Sequence, residues 1–180
     1  MRRVVLYHLV SLDGVAEEPS NWLFTFDELA RENLGRIITR QDTVLLGRTT
    51  FEEWAGFWPT SHIEPFASFI NSTTKHVFTS HPLGLPWANS VLVDGPAIDH
   101  VRELKAEDGD DIGVHGSIRL SQSLMHAGLV DRMHLVIAPT IAGRGRRLFD
   151  KGPALQPLEL VDLSHTPTGL VLATYGIVAR

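Results

Sequence analysis

Three short glycine-containing stretches hold residue types that bind and turn over small molecules: Asp13-Gly14, Gly47-Arg48-Thr49-Thr50 and His115-Gly116-Ser117. Each follows a run of aliphatic and β-branched residues, so each reads as the turn leaving a buried strand. Gly116 allows backbone to come close to a ligand. Ser117 is placed to cap and open a helix, whose free N–H groups and positive dipole end favour a phosphate. Arg48 can add a charge-assisted hydrogen bond, and the Thr49 and Thr50 hydroxyls neutral ones. Asp13 offers a carboxyl at the mouth of the first strand, although Asp-Gly is also ordinary turn chemistry. Trp22, Phe26, Trp54 and Trp58 flank the first two turns, either as stacking surfaces for a planar ring or as core.

The elements that must position these residues alternate in period. Residues 3–10, 43–46, 75–79, 90–93 and 112–114 read as strands. Between them lie helical patterns: Ala30, Leu34, Ile37 and Ile38 on one face; a segment through Phe51 and Trp54; Ile98, Val101 and Leu104 after Asp94-Gly95-Pro96; and Leu120, Leu124 and Met125 up to Gly128. After residue 131 only strands are predicted, over 133–138, 158–163 and 170–178. Alternation followed by strands alone predicts an α/β fold. It is a mostly parallel sheet with helices on both faces and antiparallel strands at its C-terminal end, all in a single domain over residues 1–180. In such a sheet ligands sit beyond the carboxyl ends of the parallel strands, where the three turns meet.

Composition narrows the function classes. The 180 residues are 43% hydrophobic and 21% charged, and 15 Gly with 10 Pro stay below the level of a low-complexity chain. With no cysteine, disulfide scaffolds, thiolate zinc sites and cysteine nucleophiles are excluded. The nine histidines show no ligand spacing, so no metal site is expected. A formal charge of −5, with only Arg144, Arg146, Arg147 and Lys151 clustered, argues against nucleic acid as a partner. No apolar run approaches the ~20 residues of a membrane span, and the start lacks a leader's cleavage pattern, so a cytoplasmic location is expected. Gly143-Arg144-Gly145-Arg146-Arg147 lacks the third glycine and the strand–turn–helix context of a dinucleotide fingerprint. A Walker loop and a nucleophile elbow are absent too.

The ordered series of motifs resembles one family. Ser11-Leu12-Asp13-Gly14, Leu46-Gly47-Arg48-Thr49-Thr50-Phe51-Glu52, Phe57-Trp58-Pro59, Lys75 to Ser80, His115-Gly116-Ser117, Gly128-Leu129-Val130-Asp131, Pro139, and Gly143-Arg144-Gly145 with Leu148-Phe149 follow one another over almost the whole chain. They resemble the dihydrofolate-reductase-like family that includes the C-terminal reductase domain of the riboflavin-biosynthesis enzyme RibD, in a stand-alone form. Where the family often has Gly-Gly, this chain has His115-Gly116.

The resemblance implies a three-layer α/β/α sandwich binding NADPH along the sheet edge. It places Gly47, Arg48, Thr49 and Thr50 on cofactor phosphates, and Thr79 and Ser80, with His81, near the adenosine and its 2′-phosphate. Val114, His115, Gly116, Ser117 and Ile118 would line the pyrophosphate and nicotinamide-ribose side. Asp13 would face the substrate as the catalytic group, with Trp22 and Trp54 as substrate contacts. The implied activity is hydride transfer to a C=N or C=O of a small heterocycle, pterin- or pyrimidine-like, by a homodimer. The alternative is a non-catalytic nucleotide-binding or regulatory protein that keeps the fold. True dihydrofolate reductases also carry an acid on the first helix. Counting from Trp22 gives Asp27, counting from Gly47 gives Arg31 and Glu32, and no folate-protonating residue follows.

Overall fold

The computed structural model describes residues 1–150 and 155–178, so Lys151 of the basic cluster lies outside the described residues. Eight strands form one sheet: β1 (Val4–Ser11), β2 (Gln41–Gly47), β3 (Thr74–Phe78), β4 (Ser90–Val93), β5 (Asp111–His115), β6 (Arg132–Ala138), β7 (Leu158–His165) and β8 (Val171–Ile177). Their order is β4-β3-β2-β5-β1-β6-β8-β7. Pairings from β4 across to β6 are parallel, and β8 pairs antiparallel with both β6 and β7. The fold class is the expected mostly parallel α/β sheet with antiparallel C-terminal strands.

Five helices cover the two faces: α1 (Glu28–Ile38), α2 (Arg48–Ala55), α3 (Phe66–Ser72), α4 (Ala97–Ala106) and α5 (Ile118–His126). Side-chain alternation along the strands builds two cores. Val44, Leu46 and Val77 face Ala30, Leu34, Phe66 and Ile70 of α1 and α3, whereas Leu6, Leu45 and Val114 face Val101, Leu104, Leu120 and Leu124 of α4 and α5. In α1 the buried residues Ala30, Leu34 and Ile38 recur every four positions, and the Asp27 carboxylate caps the helix by accepting from the Ala30 N–H at 3.1 Å. Gly128 ends α5 at φ +66°, and the Leu129 N–H returns to the Leu124 carbonyl.

Two features lay outside the sequence pattern. Helix α3 is only seven residues long, and its last turn is held by a wholly buried cation. The Lys75 Nζ donates to the Ile70 and Thr73 carbonyls at 2.8 and 2.9 Å and sits 4.7 Å from the centre of the Trp87 ring. Second, the apolar C-terminal strands β6 and β8 are each paired on both sides within the sheet. The free edge on that side is β7, all eight of whose residues are exposed, Leu158, Leu160, Val161 and Leu163 among them.

Candidate active site

Strand order dictates where the turns converge. From β2 the chain proceeds to β3 on one side, and from β5 it proceeds to β6 on the other, so the sheet reverses direction of growth beside β2 and β5. The carboxyl ends of these neighbours are Gly47 and His115. Their turns touch: the Gly47 N–H donates to the Ser117 Oγ at 3.0 Å. Ser117 thus occupies the N-cap position of α5 without capping it, because its hydroxyl is turned to the neighbouring strand. That corrects the expected cap. Helix α2 likewise begins at Gly47 with no side-chain cap, so two helix N-termini with unsatisfied amides face one space.

That space is a cavity of about 600 Å³ reaching both faces of the sheet. Its polar end is lined by Gly47, Arg48, Thr49, Thr50, His115, Gly116, Ser117 and Ile118, so eight residues expected at the cofactor are brought together. The other end lies between α1 and α3 and is walled by Tyr7, Phe26, Trp54, Trp58 and Phe66. The aromatic rings meet edge-on, with Trp54–Phe66 centroids 5.5 Å apart and Trp58–Phe66 centroids 4.8 Å apart. A second, shallower depression is lined by Thr79, Ser80, His81, Asp94 and Arg48. Arg48 is the residue common to both, and its Nε is tied to Glu52 at 2.8 Å one helical turn on.

His115 takes no part in a strained turn. The only cis peptide among the described residues is Glu64–Pro65, so His115–Gly116 is trans. The His115 ring is buried, meets Phe66 and Phe69 edge-on and Tyr7 at a tilt, and shares a 2.8 Å hydrogen bond between its Nε2 and the Gln41 Oε1. Because an amide oxygen only accepts, Nε2 carries the proton. Burial pushes its pKa down to about 3 and that of His8, which meets the Ser121 Oγ at 2.7 Å, to about 4. Both imidazoles are neutral at pH 7. The Tyr7 hydroxyl is pushed far up by the same burial.

Three expected site residues are placed elsewhere. Asp13 does not line the cavity. Its carboxylate accepts from the Ser11 hydroxyl at 2.6 Å and the Ala142 and Gly143 N–H groups at 2.9 and 3.0 Å, and the Arg147 Nε donates to its backbone carbonyl. The Ser11 hydroxyl first, and the Ala142 and Gly143 amides, hold the carboxyl well below the usual carboxylate range, and these bonds fasten the segment 142–147 to the end of β1. Trp22 is 4% exposed and buried against α1, its indole N–H donating to the Glu17 carbonyl at 2.9 Å. Val114 is a fully buried core residue on the α4–α5 face. Asp27 caps α1 and accepts from Thr168, and the α1 residues that do line the cavity are Arg31 and Leu34.

Several cavity residues had no signal in the turns: Tyr7 and His8 of β1, Glu53 of α2, and Glu64 and Phe66 at the start of α3. A tyrosine and a histidine adjacent within an otherwise aliphatic strand were the available clue.

Comparison with known proteins matches this geometry. Residues 2–172 match the family model described as the RibD C-terminal domain. The chain is 25% identical over 181 residues to the uncharacterized protein YyaP of Bacillus subtilis (strain 168), covering 97% of this chain and 94% of that one. A solved structure of a designated riboflavin biosynthesis protein from Shewanella sp. PV-4 superposes with TM-score 0.80 at 18% identity, over 98% of this chain and 99% of the other. The diaminohydroxyphosphoribosylaminopyrimidine deaminase/5-amino-6-(5-phosphoribosylamino)uracil reductase of Thermotoga maritima superposes with TM-score 0.70 at 15% identity; 98% of this chain covers 57% of that one. At those identities the two structures share the fold. No helix among the described residues is long and apolar enough to cross a membrane. With the family model spanning nearly its whole length, the chain belongs to the RibD C-terminal domain family.

Proposed function

We propose that the protein is an NADPH-dependent reductase acting on a C=N or C=O of a small planar heterocycle. The observation that carries this reading is the pairing of two uncapped helix starts, at Gly47 and Ser117, around one cavity whose other end is aromatic. The residues fit a dinucleotide. Gly116 has φ +66°, and a Cβ there would stand 2.6 Å from the Trp54 Cζ2, so only the bare backbone leaves a groove beside the indole. The amides opening α2 and α5 would hold the pyrophosphate, reinforced by Thr49 and Thr50. Arg48, lining both depressions, would reach toward Thr79 and Ser80, where a 2′-phosphate would sit.

When bound, the nicotinamide would supply the hydride. The chain's own part is to orient and to exclude water: Trp54, Trp58 and Phe66, meeting edge-on, wall the end of the cavity beside the His115-Gly116 turn. Asp13 acts at one remove, as a positioning residue for the segment that brings Arg146 to the cavity rim. A second copy of the chain is the partner we infer at the exposed apolar edge of β7, since a free edge of that kind otherwise invites uncontrolled pairing. A cytoplasmic location belongs to the same reading.

Titration of the purified protein with NADPH and NADH, followed by nicotinamide fluorescence, tests it. Saturable binding with a preference for NADPH is expected. No binding of either at roughly millimolar concentration, near −4 kcal/mol, would remove the reductase reading.

A further inference from the structure

The residue ahead of Gly116 is held from the far end of the neighbouring strand. Gln41 opens β2, opposite in position to Gly47, and His115 closes β5. Yet the His115 Nε2 donates to the Gln41 Oε1 at 2.8 Å, across 74 residues of chain. The imidazole reaches that partner by lying back over Gly113, two residues earlier on the same face of β5. A Cβ on Gly113 would overlap the Gln41 Oε1 and stand 2.7 Å from its Cδ and 2.9 Å from the His115 Nε2. Glycine inside a strand weakens it, and here it marks the close approach of another side chain. Gln41 is irregular as well. The β2–β5 ladder shifts register between Gln41 and Thr43, and the buried Gln41 Nε2 has no partner among the described residues. A bare strand position and an unpaired buried amide are both destabilising, and both accompany this one bond.

What the bond holds is the Gly116 turn. On its other sides the His115 ring is confined by Tyr7, Phe66 and Phe69, at centroid distances of 5.8, 5.3 and 5.8 Å. The His115 backbone carbonyl accepts from the Ser117 N–H at 2.7 Å, which closes the turn around Gly116. Pinning the ring therefore fixes where that carbonyl points. Ser117 in turn accepts from the Gly47 N–H, so a shift of the ring reaches both uncapped helix starts.

Resting on the reductase reading, we propose that Gln41 is a positioning residue: it fixes His115 as the Nε2–H tautomer and, through that ring, holds the Gly116 turn in the form that receives the cofactor. Gln41 does not itself line the cavity. Gly113 completes the device, because a larger residue there expels the amide.

A double-mutant cycle on the full chain, read as NADPH affinity by nicotinamide fluorescence, tests this. Gln41→Met removes the acceptor at similar length. His115→Phe removes the donor and keeps an aromatic ring among Tyr7, Phe66 and Phe69. Each should weaken NADPH about three- to tenfold, the size of one buried hydrogen bond. The double variant should bind no more weakly than either single one, since an apolar pair of like shape replaces the bond. Effects that multiply would overturn the proposal. So would an unchanged NADPH affinity in Gln41→Met, even with a lowered urea midpoint, because the bond would then serve stability alone. Heteronuclear NMR of the imidazole nitrogens adds a readout without cofactor: His115, assigned by its loss in His115→Phe, should carry its proton on Nε2, and a proton on Nδ1 instead would equally overturn the proposal. Should Gln41→Met fail to fold, Gly113→Ala displaces the same amide and takes its place in the cycle. Wild-type protein that binds no NADPH at roughly millimolar concentration removes the reductase reading and this inference with it. Wild-type binding with effects that multiply sinks this inference alone.

Discussion

Gly116 and Trp54 are in van der Waals register: a methyl group on the glycine would overlap the indole, with the Thr50 Cγ2 a further close neighbour at 3.2 Å. Gly116→Ala therefore has to push the Trp54 ring aside and also hold a left-handed backbone with a Cβ. Fluorescence titration should show NADPH affinity reduced about tenfold or more, and chemical denaturation a loss of about 1–2 kcal/mol. Unchanged affinity in the variant would mean that the groove at this turn is not where the cofactor lies.

Arg48 separates two roles through one substitution. It lines both the main cavity and the depression beside Thr79 and Ser80. If it meets a 2′-phosphate, Arg48→Ala weakens NADPH about tenfold more than NADH, the size of one charge-assisted contact. Equal weakening of the two cofactors would confine Arg48 to the pyrophosphate.

Asp13 is expected to matter through the backbone it holds. In Asp13→Ala the amides of Ala142 and Gly143 lose their acceptors. Hydrogen exchange at those two amides should rise about tenfold or more, with the strands of the sheet remaining protected. If exchange is unaltered and only turnover collapses, Asp13 has a direct chemical role after all.

Acid should loosen the protein through its buried histidines. His8 and His134 are pushed down to about 4, and His115 to about 3, by burial, while in the unfolded chain they titrate near 6.5. Between about pH 4 and 6.5 the unfolded chain therefore binds more protons than the folded one, and stability rises with pH by up to about 1.4 kcal/mol per unit for each residue. Urea midpoints measured from about pH 7 down to 4.5 should fall steadily, with His8→Gln removing one share of the slope. A midpoint flat over that range would show that these rings are hydrated.

The edge at β7 makes an assembly prediction. Sedimentation of the wild-type protein at micromolar concentration should give a dimer, and Leu160→Lys a monomer of unchanged circular dichroism. A wild-type monomer would remove the second copy from the reading.

The turns at Gly47 and Gly116 were legible because their requirement is local: a strand ends, a helix starts, and glycine is the residue that permits both. The bonds that Asp13 makes were not legible, for the opposite reason. Its acceptors serve amides 129 and 130 residues away, and nothing near it in sequence announces them. Trp22 and Trp54 look alike in sequence, yet one carries its N–H into a buried bond with Glu17 and the other walls the cavity. Helix α3 was missed because seven residues after a proline contain too few turns to establish a period. The bond between Gln41 and His115 could not be foreseen at all, since its partners stand 74 residues apart.

Tyr7 and His8 are neighbours in β1, and the pleat sends them to opposite layers, Tyr7 toward Phe66 and Trp22 and His8 toward Ser121 of α5. One strand thereby supplies a ring to each layer of the fold. On the Tyr7 side, a change at Tyr7, Phe66 or Phe69 is felt directly by the His115 ring and so by the Gly116 turn, whereas His8 is held by α5 alone. A single pleat thus ties the turn to one layer through Tyr7 and to the other through His8, so a substitution in either layer is transmitted to the end of β1 by a different neighbour.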